Sequence, residues 1–161
     1  FFDQWSQKEI FKWKSNLKLT EARQKEAHQT RIDRTWENLD LSRFENGVLE
    51  IYTIAKRENA KLVLATHPAI YREDLTPEED ALTWLMAGYT FRSRRERLDK
   101  INAKIRQIGE MLSVPVVDLD RMLPRSTEVF YDDCHFNDNG AALVAEKFFE
   151  HFSKEAELTE S

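Results

Sequence analysis

A single cysteine, Cys134, stands in a chain of 161 residues. No internal disulfide can form, so the fold rests on packing and polar contacts. One unpaired cysteine suits the cytosol and equally many exported enzymes, which leaves the redox compartment unassigned. No apolar run approaches the roughly 18 residues that cross a bilayer. No block of one charge sign occurs: 24 basic and 29 acidic residues are interspersed, for a formal net charge of -5. That balance excludes the basic stripe a nucleic-acid or anionic-membrane partner requires and suits a small neutral or polar substrate. Glycine is also scarce, with four residues, and none stands in a Gly-Asp-Ser or Gly-x-Asn sequence. The chain opens Phe1-Phe2-Asp3 without methionine or a recognisable signal peptide, and any targeting signal is expected upstream.

What is present is enough for one globular domain, since 41% of residues are hydrophobic and 11% aromatic. Residues 1–40 are highly charged with scattered aromatics, and Ile10, Trp13 and Leu17 recur at helical spacing. They read as a mostly helical extension or insertion, or as an interaction helix that docks on a partner. Leu41, Phe44, Val48, Ile51, Tyr52 and Ala55 mark one face of a helix over 41–59. Lys61 to Ala65 follows as a buried parallel strand, ended by Thr66-His67-Pro68 because proline cannot continue a central strand. Residues 69–92 form a long connection with a short helix opening at Thr76, where Pro77 and Glu79 supply an N-terminal signature.

Leu98, Ile101, Ile105, Ile108 and Leu112 predict the next helix, and Val114 to Leu119 the next strand, with Pro115 tolerated at its start. A loop containing Pro124 leads to a last helix from about Asp138 to Phe152, with Ala141, Ala145, Phe148 and Phe152 on one face. A polar tail occupies 153–161. Helix, strand, helix, strand, helix is half of a doubly wound α/β sheet. Two strands are too few for such a sheet, so further strands are expected upstream.

Sites in open α/β sheets form at the carboxyl ends of the strands, where the loops after Ala65 and Leu119 emerge. The segment Tyr131-Asp132-Asp133-Cys134-His135-Phe136-Asn137 ends the second of these loops. In Asp132-x-x-His135 the carboxylate can accept the imidazole Nδ1–H, fixing tautomer and orientation, while Nε2 serves as general base. Asp133 is a second candidate for the carboxylate role. Asn137 or Asp138 can cap the last helix, and Gly140 permits close packing at its first turn.

The run from Tyr131 through Gly140, followed by Ala141-Ala142-Leu143-Val144-Ala145, resembles the last conserved block of the SGNH (GDSL-type) hydrolase and esterase family. Lys61 to Pro68 is similar to that family's penultimate strand ending in Thr-x-Pro. Ile101 to Arg106 and Val114 to Leu119 are similar to its following helix and last strand. The resemblance spans 41–152 in the right order. It implies a three-layer α/β/α, flavodoxin-like fold with a parallel sheet, lacking here its N-terminal strands. It implies hydrolysis of a carboxylic or acetyl ester, possibly on a carbohydrate, by a Ser-His-Asp mechanism, with His135 as base and Asp132 as its partner. No cofactor is implied, and the only compartment lean is extracytoplasmic. The family's Gly-Asp-Ser nucleophile block and its oxyanion blocks have no counterpart among the eight serines and four glycines. Without them most transition-state stabilisation for acyl transfer is missing, and this chain alone is expected to be inactive. The alternative is a non-catalytic α/β module that binds a ligand or partner through the same cleft.

Other candidates read more plainly. His67 is a loop residue that could line the same cleft, and His28 and His151 lie among charged residues as solvated side chains. Cys134 beside His135 invites a thiol or metal reading, but neighbours on a tight turn point apart and no second cysteine supports zinc. Arg92, Arg94, Arg95 and Arg97, beside Glu96 and Asp99, read most simply as a solvated helix face, with an anionic-substrate clamp as the lesser reading.

Overall fold

The structure, a computed structural model, describes residues 32–76, 79 and 89–159, with side chains to 153. The helix expected within 1–31, with His28, lies outside the described residues, as does most of the helix expected to open at Thr76. Its first turn is described: Thr76 Oγ1 accepts the Glu79 N–H at 3.2 Å and Glu79 Oε2 accepts the Thr76 N–H at 3.0 Å. That is the reciprocal capping box the sequence predicts.

Among the described residues the order is α1 (Ser42–Arg57), β1 (Leu64–Ala65), α2 (Phe91–Leu112), β2 (Val116–Val117), α3 (Leu119–Met122) and α4 (Asp138–Thr159). The class is α/β. The strands pair in parallel, Leu64 against Val116 and Ala65 against Val117. Pro115, which has no N–H to give, contributes its carbonyl to the Leu64 N–H at 2.9 Å. Both strands are shorter than their apolar runs suggest. Leu119 leaves the expected strand to open the short helix α3, because Asp118 and Asp120 turn back to ion pairs instead of continuing the ladder. No described helix is long and apolar enough to cross a membrane.

Helix α2 packs against both strands. It opens on Thr90, whose hydroxyl accepts the Ser93 N–H, and ends on Ser113 in the left-handed region at φ 52°. Its buried side is Ser93, Arg94, Leu98, Asn102, Ile105, Ile108 and Gly109. Gly109 allows the close approach to β2, since a Cβ there would lie 2.2 Å from Val116 Cγ2. The arginine cluster at its start is not a solvated face: Arg94 is buried over the rings of Phe91 and Tyr71, and Arg95 reaches Asp120.

Two further differences concern helix faces. The core-facing side of α4 carries Leu143, Val144 and Phe148, whereas Ala141, Ala145 and Phe152 are exposed. With Phe148, Phe149 and Phe152 clustered, apolar spacing admits more than one face, and the loop entering α4 selects between them. His151 is half-buried, edge-on to Phe152. Helix α1 forms as expected yet buries no residue, and Ile51 and Ile54 are 55% and 53% exposed. Residues 32–40 are not helical. Trp36 instead caps the start of α2, its indole N–H donating to Ser93 Oγ at 3.0 Å while Arg34 lies over its ring. With few apolar side chains between Ile32 and Asp40, this stretch has no stripe to bury as a helix.

The core gathers Ala69, Ile70, Tyr71, Leu98, Val117, Leu119, Leu123, Val129 and Phe130. Val129 and Phe130 belong to the loop that carries the Asp-x-x-His segment and are fully buried. Each contributes about 1.5–3 kcal/mol of apolar burial. The loop is thereby anchored immediately before its chemistry-bearing residues.

Candidate functional site

The loop between α3 and α4 folds back on itself through local hydrogen bonds. Phe130 and Phe136 form an antiparallel bridge with stacked rings, and the Tyr131 N–H donates to the His135 carbonyl at 3.1 Å. The intervening turn is organised by Asp132. Its Oδ1 accepts the backbone N–H groups of Cys134 at 2.9 Å and His135 at 2.8 Å. Short polar side chains close turns in this way because the carboxylate substitutes for a backbone acceptor.

The other oxygen, Asp132 Oδ2, lies 2.8 Å from His135 Nδ1. Asp132 is buried, while the His135 side chain is 57% exposed. Tyr131 stacks on the imidazole with ring centroids 5.7 Å apart. One face of the ring is therefore covered and one nitrogen anchored. Among the described residues no hydrogen bond engages Nε2.

Exit from the turn is fixed as firmly. Asn137 Oδ1 accepts the Gly140 N–H at 2.8 Å, making Asn137 rather than Asp138 the cap of α4. Asn137 also donates to Thr127 O and takes its own N–H to Val129 O. A Cβ on Gly140 would stand 2.1 Å from that Val129 oxygen, so only glycine fits.

Asp133 points elsewhere. It is fully buried, accepts the Tyr71 hydroxyl at 2.8 Å, and its carbonyl accepts the Ile70 N–H at 3.1 Å. Of the two adjacent aspartates, Asp132 alone is bonded to His135. Burial raises the Asp133 pKa, the Tyr71 hydrogen bond opposes this, and the charge of Asp132 adds to the rise. Burial and Asp133 likewise push the Tyr71 phenol far above its ordinary value.

Cys134 departs from the sequence expectation in one respect. Its Sγ lies 3.8 Å from His135 Nδ1, so the neighbours do not point apart, and Asp132, Cys134 and His135 bring one potential ligand atom each within 4.8 Å of one another. Chemistry still opposes a thiol nucleophile. Burial and the two aspartates push the Cys134 thiol up to about 11, whereas a nucleophile must be thiolate. The His135 nitrogen nearest the sulfur is already committed to Asp132.

The carboxyl end of β1 joins this loop through contacts that sequence reading does not reach. Thr66 Oγ1 donates to Asp118 Oδ1 and accepts the Asp120 N–H, both at 2.9 Å, clipping the ends of the two strands together. Asn102, fully buried on α2, holds the His67 peptide on both sides: Oδ1 accepts its N–H at 2.8 Å and Nδ2 donates to its carbonyl at 2.9 Å. Beneath this, Arg106 grips Asp118 and Arg95 grips Asp120, each through two hydrogen bonds at 2.8 Å. Burial pushes the pKa of both aspartates up, but the guanidinium contacts outweigh it and leave both lowered. The only sequence signal for these ties is their residue types at strand ends; no short-range pattern links Thr66 to Asp118 or His67 to Asn102.

No family model, curated protein or solved structure matches the chain.

Proposed function

We propose that the protein is a serine ester hydrolase of the SGNH (GDSL) type, or the part of one that carries its base. His135 is the general base and Asp132 the carboxylate that orients it. The arrangement proposed around the two described strands is the three-layer, flavodoxin-like sheet of that family. The observation that carries this reading is the Asp132–His135 contact, in which a buried carboxylate meets Nδ1 of an exposed imidazole at 2.8 Å.

The chemistry follows from that contact. A carboxylate accepting the Nδ1–H keeps the lone pair on Nε2, which takes the proton of a serine hydroxyl as its oxygen attacks the ester carbonyl. The imidazolium so formed is stabilised by Asp132 and returns the proton to the leaving alkoxide. No serine of this chain follows a Gly-Asp, so the nucleophile and the oxyanion donors come from polypeptide other than these 161 residues. The substrate class is a small carboxylic or acetyl ester, including acetylated carbohydrate. A second reading, a non-catalytic partner-binding module, is favoured by one observation: Asp132 Oδ1 already closes its own turn, as a purely structural aspartate would.

Hydrolysis of p-nitrophenyl acetate by the complete protein separates the two. Asp132→Asn is expected to lower kcat by roughly 10⁴-fold and His135→Ala by roughly 10⁶-fold, as loss of the corresponding triad members does elsewhere. Equal activity in the native protein and His135→Ala refutes the base assignment.

A further inference from the structure

We propose that His67 is a substrate-binding residue of the same site, a second imidazole that hydrogen-bonds the alcohol portion of a polar, hydroxyl-bearing ester such as an O-acetylated sugar. The inference rests on the ester-hydrolase reading for the identity of the ligand. Its structural basis is independent of that reading.

Three observations carry it. His67 is exposed at the carboxyl end of β1, the end at which ligands meet open α/β sheets. Its backbone is nevertheless more tightly held than ordinary loop residues. The buried Asn102 amide satisfies both its N–H and its carbonyl, and the preceding Thr66 is bonded to Asp118 and Asp120. Three residues further on, the Ile70 N–H bonds to Asp133 O, two residues before His135. These ties present an exposed imidazole on a rigid platform that is hydrogen-bonded to the loop carrying His135. Fixing a side chain's support in this way is what orienting a ligand requires.

The electrostatic setting agrees. Desolvation by the surrounding protein and the charge of His135 lower the His67 pKa, against the opposing influence of Asp120 and Asp133. A neutral imidazole offers one donor and one acceptor, which matches an alcohol or hydroxyl group better than a phosphate or carboxylate. His67 contacts only substrate in this scheme; proton transfer stays with His135.

The test uses the 161-residue chain and needs no turnover. Imidazole resonances of His67 and His135 are followed by NMR through a pH titration, and through a titration with an O-acetylated methyl xyloside. Expected are an upward pKa shift of His67 in His135→Gln, which removes one cause of its lowering, and ligand-induced shifts at both rings that saturate together. Affinity should fall at least about tenfold in His67→Ala, the loss of roughly one well-placed hydrogen bond. Absence of the His67 pKa shift, ligand shifts confined to His135, unchanged affinity in His67→Ala, or no saturable shift at either ring would each overturn the proposal. Failure of the His135→Ala hydrolysis test would remove the base assignment while leaving these binding results standing, so the two readings fail separately.

Discussion

Helices α1 and α2 were both marked by the same spacing of apolar residues, yet they sit in the molecule quite differently. The 22-residue α2 buries seven residues. The 16-residue α1 buries none, exposes Ile51 and Ile54, and is tied to α2 by Glu45 and Lys104 at 3.2 Å. Four of the seven buried residues on α2 are Ser93, Arg94, Asn102 and Gly109, which no hydrophobic pattern selects. Apolar periodicity thus states which face a helix would bury, whereas burial itself is decided by what lies opposite. Around the candidate site that partner surface is polar, and the helix answers with polar groups.

The largest expected effect pits the ion pairs of the two helices against each other. Arg95→Ala takes from Asp120, almost fully buried, its principal partner, leaving Arg125 at 3.5 Å and Arg106 at 3.7 Å, and should cost about 3 kcal/mol in urea denaturation. Lys104→Ala removes the partly exposed pair that ties α1 and should cost less than about 1 kcal/mol. Similar costs for the two would mean that α1 is as firmly docked as α2.

Glycines sharpen the contrast with a change of sign. Gly140→Ala would drive a methyl into the Val129 carbonyl and should destabilise by about 1–3 kcal/mol or more. Gly47, inside α1, has nothing within 4 Å of a Cβ. Gly47→Ala should therefore stabilise by about 1 kcal/mol through helix propensity alone. A destabilising Gly47→Ala would reveal a surface packed on α1.

The smallest effect is read from pH. Asp133 has a folded-state pKa above its unfolded value. Its folded form is favoured below the unfolded carboxylate pKa of about 3.9, and that advantage is lost as pH rises through the folded value. Asp118 and Asp120, whose values are lowered, behave oppositely: their stabilisation is present above about 3.9 and is lost as pH falls through the folded values. Asp133→Asn keeps an oxygen for the Tyr71 hydroxyl and removes the ionisation. Its stability relative to the native protein should improve as pH rises above the unfolded carboxylate pKa of about 3.9. A difference independent of pH would place Asp133 among the compensated carboxylates.

Much of the architecture was legible because it is local. Helix α2, the capping box at Thr76, the Asn137 cap and the Asp132–His135 contact each depend on residues three or four apart. What escaped depends on partners far along the chain. Arg94 and Arg95 looked solvated because the groups they meet, Tyr71 and Asp120, lie more than twenty residues away. The clamp of Asn102 on His67 joins a helix interior to a strand end, and an isolated asparagine in a charged helix carries no sign of it. The α4 face was misjudged because three phenylalanines within five positions fit more than one stripe.

The two oxygens of Asp132 carry different duties, one folding the turn and one holding the imidazole. Asparagine is nearly the same shape but has a single oxygen. If that oxygen closes the turn, the amide N–H₂ faces Nδ1 and forces the ring proton to Nε2. If it meets Nδ1–H instead, the turn loses its acceptor. Loop geometry and base tautomer are therefore set together by the two acceptor oxygens of one side chain, and an amide of that size cannot preserve both.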